Sequence, residues 1–187
     1  MTKAYTPGPL PIIAAVCRES GLVETINDLA DWDEQQCTLS PGERAMALIM
    51  NVLTEGEPLY RLPEFFQETD TETLFHEGIE PDDLNDDTLG RGLDKLSEAG
   101  LRTVLGTVLW EAANRETQSP SVIHSDTTTV SVQGAYENSS DDSDQELNIT
   151  YGHSKDNRPD LKQYTVGLGV DQHGVPVVGD ILDGNAS

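Results

Sequence analysis

The sequence predicts an α+β protein, helices first and strands after, on three observations. Apolar residues recur at helical spacing through residues 9–117, β-branched residues dominate from Val122 onward, and the period changes at Gln118-Ser119-Pro120. The change of period predicts a helical domain over 1–117 and a second, strand-built domain over 118–187. At 187 residues the chain is long enough for one domain, or two small ones, with a real core.

The helical half is read in order. Helices are expected near 10–20 and 22–30. The next start signal is the strongest: Ser40-Pro41-Gly42-Glu43 is a capping box with proline at the first helical position. The helix behind it, Ala45 to Leu53, is apolar nearly all round, so it is expected at the buried centre of this half, ending at Gly56. Shorter helices are expected near 59–68 and 71–77. Leu89, Leu93 and Leu96 share a face of a helix that begins near Asp87 and stops at Gly100. Leu101, Val104, Leu105, Val108, Leu109 and Ala112 form the next stripe. The turn between these two helices is very short, which predicts an αα-hairpin.

The second half predicts three strands, Val122–Val132, Leu161–Val170 and Val175–Leu182. Asp171-Gln172-His173-Gly174 is a hairpin turn, so the last two strands should pair antiparallel. Residues 137–146 contain no apolar side chain and read as a solvated loop. Three strands in this length cannot bury both faces of a sheet without helices, so either the helical half covers them or the sequence is a fragment.

Composition narrows the class. The chain has 34 Asp+Glu against 11 Lys+Arg, a net charge of −23. The charge is spread evenly, with eight cations against 23 acids in residues 1–117 and three against 11 in residues 118–187. Acidic disordered tails concentrate their charge in blocks and lack apolar periodicity, so wholesale disorder is excluded. Binding to basic partners suits the sign of the charge but not its even spread. A halophilic proteome suits both, because the Debye length falls to about 3 Å at 1 M salt and screens the self-repulsion. Only Lys3, Lys95, Lys155 and Lys162 remain as lysines. No apolar run is long enough to span a membrane, and the first 20 residues carry no secretory pattern. Cys17 and Cys37 have no CxxC spacing, which points away from a disulfide scaffold or zinc module and toward a reducing cytoplasm.

Two places can hold chemistry. Asp126 lies within Ile123-His124-Ser125-Asp126-Thr127-Thr128, in a predicted strand. A carboxylate inside a sheet pays for desolvation unless it meets a cation or several donors, and a divalent metal is one such cation. The plainer reading turns it to solvent or to neighbouring threonines. His124 falls on the same strand face. The second place is Ser154-Lys155-Asp156-Asn157-Arg158-Pro159-Asp160-Leu161-Lys162, which gathers all three basic residues of this half. Lys155, Arg158 and Lys162 suit phosphate contacts, or equally local pairing with Asp156 and Asp160.

At these residues a family resemblance emerges. His124-Ser125-Asp126-Thr127-Thr128, followed by Tyr151-Gly152-His153 and the string from Ser154 to Gln163, resembles the DDE-type transposases of bacterial and archaeal insertion sequences. Gly174-Val175-Pro176 through Asp183-Gly184-Asn185 is similar to the same group. The segment from Asp82 to Arg91 is similar to an N-terminal domain that precedes their catalytic core. The resemblance implies an RNase H-like fold whose first three strands form an antiparallel meander, with Asp126 at the position of the first metal-binding aspartate. It implies Mg²⁺ (or Mn²⁺), held by Asp, Asp and Glu, and DNA as substrate, with in-line phosphoryl transfer that cuts and joins strands. In that family the second aspartate and the glutamate come later than residue 187, and none of Asp160, Asp171, Asp180 or Asp183 stands in their place.

Residues 1–187 are therefore expected to be a truncated transposase, catalytically silent by itself, with element ends and target DNA as partners. A homo-oligomer or a full-length transposase is a further expected partner. The alternative is a non-catalytic DNA-binding or regulatory module that competes for element ends, with Arg91, Lys95 and Arg102 as its local basic patch. The acidity makes a separate prediction. The fold should loosen in dilute buffer and firm up in molar KCl. Thermal melts followed by circular dichroism across KCl concentrations check this, and a cooperative fold indifferent to salt contradicts it.

Overall fold

The computed structural model describes residue 5 and residues 8–115, 121–136, 147–153 and 158–186. They fall into two compact units, Met1–Ala99 and Gly100–Ser187. The break lies ahead of the compositional change at 118. The helix that follows Gly100 thus goes with the strands.

The first unit holds helices α1 (Leu10–Glu19), α2 (Leu22–Leu29), α3 (Pro41–Leu53), α4 (Leu62–Phe66), α5 (Thr71–Leu74) and α6 (Asp86–Glu98). Several start on a side chain that accepts a backbone N–H left open by the first turn. At α3 the Ser40 hydroxyl accepts from the Glu43 amide at 3.2 Å, and the Glu43 carboxylate accepts from the Ser40 amide at 2.9 Å. Asp70 does the same for α5 through Thr73, and Asn85 for α6 through Thr88. The carbonyls that end α5 are met from α1, where the Arg18 guanidinium donates to Leu74 O and, at 3.3 Å, to Phe75 O. A cation at a helix C-terminus also suits the helix dipole.

Helix α3 packs against α1, α2 and α6, as its apolar sequence predicts. Met46, Ala47 and Met50 are fully buried. Its last turn departs from the expectation, because Val52 and Leu53 are 75% and 65% exposed. The core closes with Leu39, Leu62, Phe66, Leu84 and Leu89. Phe66 meets Phe65 and Phe75 edge-on, with ring centroids 4.8 and 5.8 Å apart. That geometry sets the positive ring edge against a negative face.

The second unit holds α7 (Leu101–Arg115) and three strands, β1 (Ile123–Val132), β2 (Lys162–Asp171) and β3 (Pro176–Leu182). They form one sheet in the order β1-β2-β3, antiparallel throughout. Helix α7 packs on β3. Its leucines settle over Gly179, where an added Cβ would stand 2.5 Å from Leu109 and 3.2 Å from Leu105. The stripe predicted to seal an αα-hairpin thus covers the sheet. Arg102 fixes the start of α7 by donating from Nε to Ile181 O at 2.8 Å and approaching Asp180 at 3.3 Å. The β2–β3 turn is the predicted one, with Gly174 at φ +81°.

Burial across the sheet is uneven. From Ile123 to Thr128 every residue of β1 is exposed, on both faces, whereas β2 alternates toward burial. Ile123, Leu168 and Val178 are exposed apolar side chains of this sheet. The predicted loop at 137–146 lies outside the described residues. Both cysteines are free thiols. Among the described residues no helix is long and apolar enough to cross a membrane.

The packing of the first unit leads to one expectation. Phe66→Ala should cost about 3–5 kcal/mol, the usual range for emptying a closed aromatic site. Val52→Ala should change stability by under about 0.5 kcal/mol, as exposed positions do. Urea unfolding of both variants in molar KCl measures the contrast.

Candidate metal and nucleic-acid site

Asp126 stands mid-way along β1, paired with Leu168 of β2, which pairs in turn with Gly179 of β3. Paired residues of a sheet share a face, so Asp126 lies on the face that α7 covers at Gly179. Asp126 itself is exposed, and its Oδ1 accepts from the Thr127 amide at 2.8 Å. An exposed carboxylate loses little to desolvation, so Asp126 does not need a cation to be stable. His124 shares the face, as its spacing predicts.

The other carboxylates of the sheet serve the backbone. Asp171 Oδ1 accepts from the amides of His173 at 2.8 Å and Val175 at 2.9 Å, closing the β2–β3 turn. Asp180 takes the Ile181 amide at 2.8 Å as well as its Arg102 contact. Asp183 accepts from the Asn148 amide at 2.9 Å. Among the described residues no group of three His, Cys, Asp or Glu can hold a metal ion. A two-ion centre needs several converging carboxylates.

The basic cluster divides. Lys155 lies outside the described residues. Arg158 forms a two-pronged pair with Asp160, Nε to Oδ1 and Nη2 to Oδ2, both at 2.8 Å. The pairing holds the Asp160 carboxyl below its ordinary range and raises the guanidinium further. Lys162 donates to the carbonyls of Ala135 at 2.7 Å and Tyr136 at 2.6 Å, pinning the segment after β1. Local pairing with Asp160 is observed for Arg158. Lys162 is also remote from Asp126. It opposes Val132, six residues along the strand, or roughly 20 Å at about 3.3 Å per residue.

What the resembling strings do share is a packing knot that sequence reasoning missed. Gln163 pairs with Thr150 through both backbone groups, at 3.2 and 2.9 Å. Its buried side chain donates from Nε2 to Gly184 O at 2.7 Å. Gly184 in turn donates its amide to Asn148 O at 3.0 Å. A Cβ at Gly152 would collide with Gly184 O, and one at Gly184 with Gln163 O. Tyr151-Gly152-His153, Gln163 and Asp183-Gly184-Asn185, far apart in the chain, thus meet at one point.

The chain belongs to the family described as a domain of unknown function, DUF4277, which matches residues 6–109. The matched stretch contains α1–α6 and ends within α7, so the strands lie beyond it. No curated protein and no solved structure matches the chain.

The turn at Asp171 makes a pH prediction. The Val175 amide, then the His173 amide, hold its carboxyl below the ordinary value, outweighing desolvation. A depressed folded pKa stabilises above the unfolded value, and the contribution is lost as pH falls through the folded one. Asp171→Asn should therefore be less stable than wild type at neutral pH, with the gap closing as the medium turns acid below the ordinary carboxylate range. Melting temperatures of both proteins across that range test it.

Proposed function

We propose that residues 1–187 are the N-terminal portion of an insertion-sequence transposase of the DDE type. The portion would comprise a DNA-associated helical unit and the opening meander of an RNase H-like catalytic fold. The observation that supports this most is the sheet itself: an antiparallel β1-β2-β3 order with a solvent-facing aspartate mid-way along β1. That arrangement is what the resemblance implies for the first metal-binding aspartate. Exposed Ile123, Leu168 and Val178 suit a sheet that takes further cover. Catalysis would need Mg²⁺ or Mn²⁺ and carboxylates beyond Asp126, so these residues alone bind without cutting.

A second reading is a non-catalytic module that occupies element ends. Arg91 and Lys95, four apart on α6, stand within the stretch that defines the family. Arg102, once grouped with them, is committed to β3. Both readings expect a selective gel shift in molar KCl with duplexes bearing the inverted repeats that flank the coding sequence. Equal affinity for scrambled duplex removes both. Mg²⁺-dependent nicking of the repeats by this chain, abolished in Asp126→Asn, would overturn the silent-fragment part of the proposal.

A further inference from the structure

Helix α3 buries an arginine, Arg44, whose Nε has no hydrogen-bond partner among the described residues. The residue is 7% exposed. Among the described residues no carboxylate pairs with it. A buried charge without a partner is costly, and the usual remedy is a paired, hydrogen-bonded anion. The stem of Arg44 lies flat on Gly92 of α6, where an added Cβ would come within 3.0 Å of Arg44 Cβ and Cδ.

The same arginine lines a cleft of about 610 Å³, within the span typical of small-molecule sites. Arg91 and Lys95 of α6 line it too, so three of the chain's 11 cations share one cavity. Two of its acidic neighbours serve other groups, while Glu98 already holds Lys95 at 2.7 Å within the cleft, a pair that an incoming anion would have to share. Asp33 accepts from Gln35 and Gln36, and Asp83 from the Glu80 amide. Asp31 and Asp94 also border the cleft, so five carboxylates line it beside the three cations, and a bound anion depends on direct hydrogen bonds from Arg44 rather than on the net charge of the cleft. Trp32 adds an aromatic wall.

We propose that this cleft binds a compact phosphate-type oxyanion, with Arg44 as its planar donor and Arg91 and Lys95 completing the cage. A guanidinium fork matches two oxygens of a tetrahedral phosphate, which a lone ammonium does not. The phosphate belongs either to a free ion or to a mononucleotide whose base stacks on Trp32. The site is independent of whether the chain acts on element ends.

The test follows tryptophan fluorescence and melting temperature of the 187-residue chain titrated with inorganic phosphate and with deoxyadenosine monophosphate, at constant ionic strength in molar KCl. Wild type should saturate and gain melting temperature with at least one of them. Arg44→Gln should bind about tenfold more weakly or worse. Equal affinity for the two probes assigns the site to free phosphate, and tighter nucleotide binding assigns it to a nucleotide. Arg91→Gln, an exposed position, gives a second variant should Arg44→Gln fold poorly, and it too should weaken binding. No saturable response in wild type, or an unchanged one in the variants, overturns the proposal.

Discussion

Strand β2 is hydrogen-bonded along both edges, and its register with β1 is what sets Asp126 opposite Leu168 on the face shared with Gly179. A slip of one residue would turn every side chain of β1 to the other face. Side chains at both ends of β2 fasten it to its neighbours, Lys162 to the segment after β1 and Asp171 and Gln163 to the β3 side. Asp171 gathers the turn amides at one end, while Lys162 and Gln163 bind loop carbonyls at the other. Position of the candidate aspartate is therefore a property of the central strand more than of its own.

The two units solve the acid excess differently. In the second, carboxylates act as acceptors for backbone amides and for Arg102 and Arg158, so that charge builds turns and anchors. In the first, Glu43, Asp70 and Asp83 serve helix starts, where the dipole favours a negative group. Arg44 departs from this pattern, because its buried Nε has no hydrogen-bond partner among the described residues.

Local signals were legible in the residues and tertiary ones were not. The Ser40 capping box, the stop at Gly100 and the Asp171–Gly174 turn each depend on a few neighbouring residues, and each stands within a residue or two of its expected place. The three strands do as well. The partner of α7 was not legible, because a leucine stripe reads the same whether it meets a helix or the bare backbone of Gly179. The fate of Arg158 and Lys162 turned on whether Asp160 and the Ala135 carbonyl came close, which spacing alone does not decide. Burial of Arg44 was invisible for a related reason. One arginine in an apolar helix reads as a solvent-facing residue until Gly92 is known to receive its stem.

The connections within the sheet differ greatly in length, and this orders its assembly in time. A turn of four residues joins β2 to β3, whereas about 30 residues separate β1 from β2. Closing the longer loop costs roughly 2 kcal/mol more in chain entropy. The β2–β3 hairpin is thus the natural first structure of this unit, and β1 docks onto a template already formed. Since β1 is also the least buried strand, it returns little apolar surface for that cost. The strand that holds Asp126 is therefore expected to pair last and to fray first.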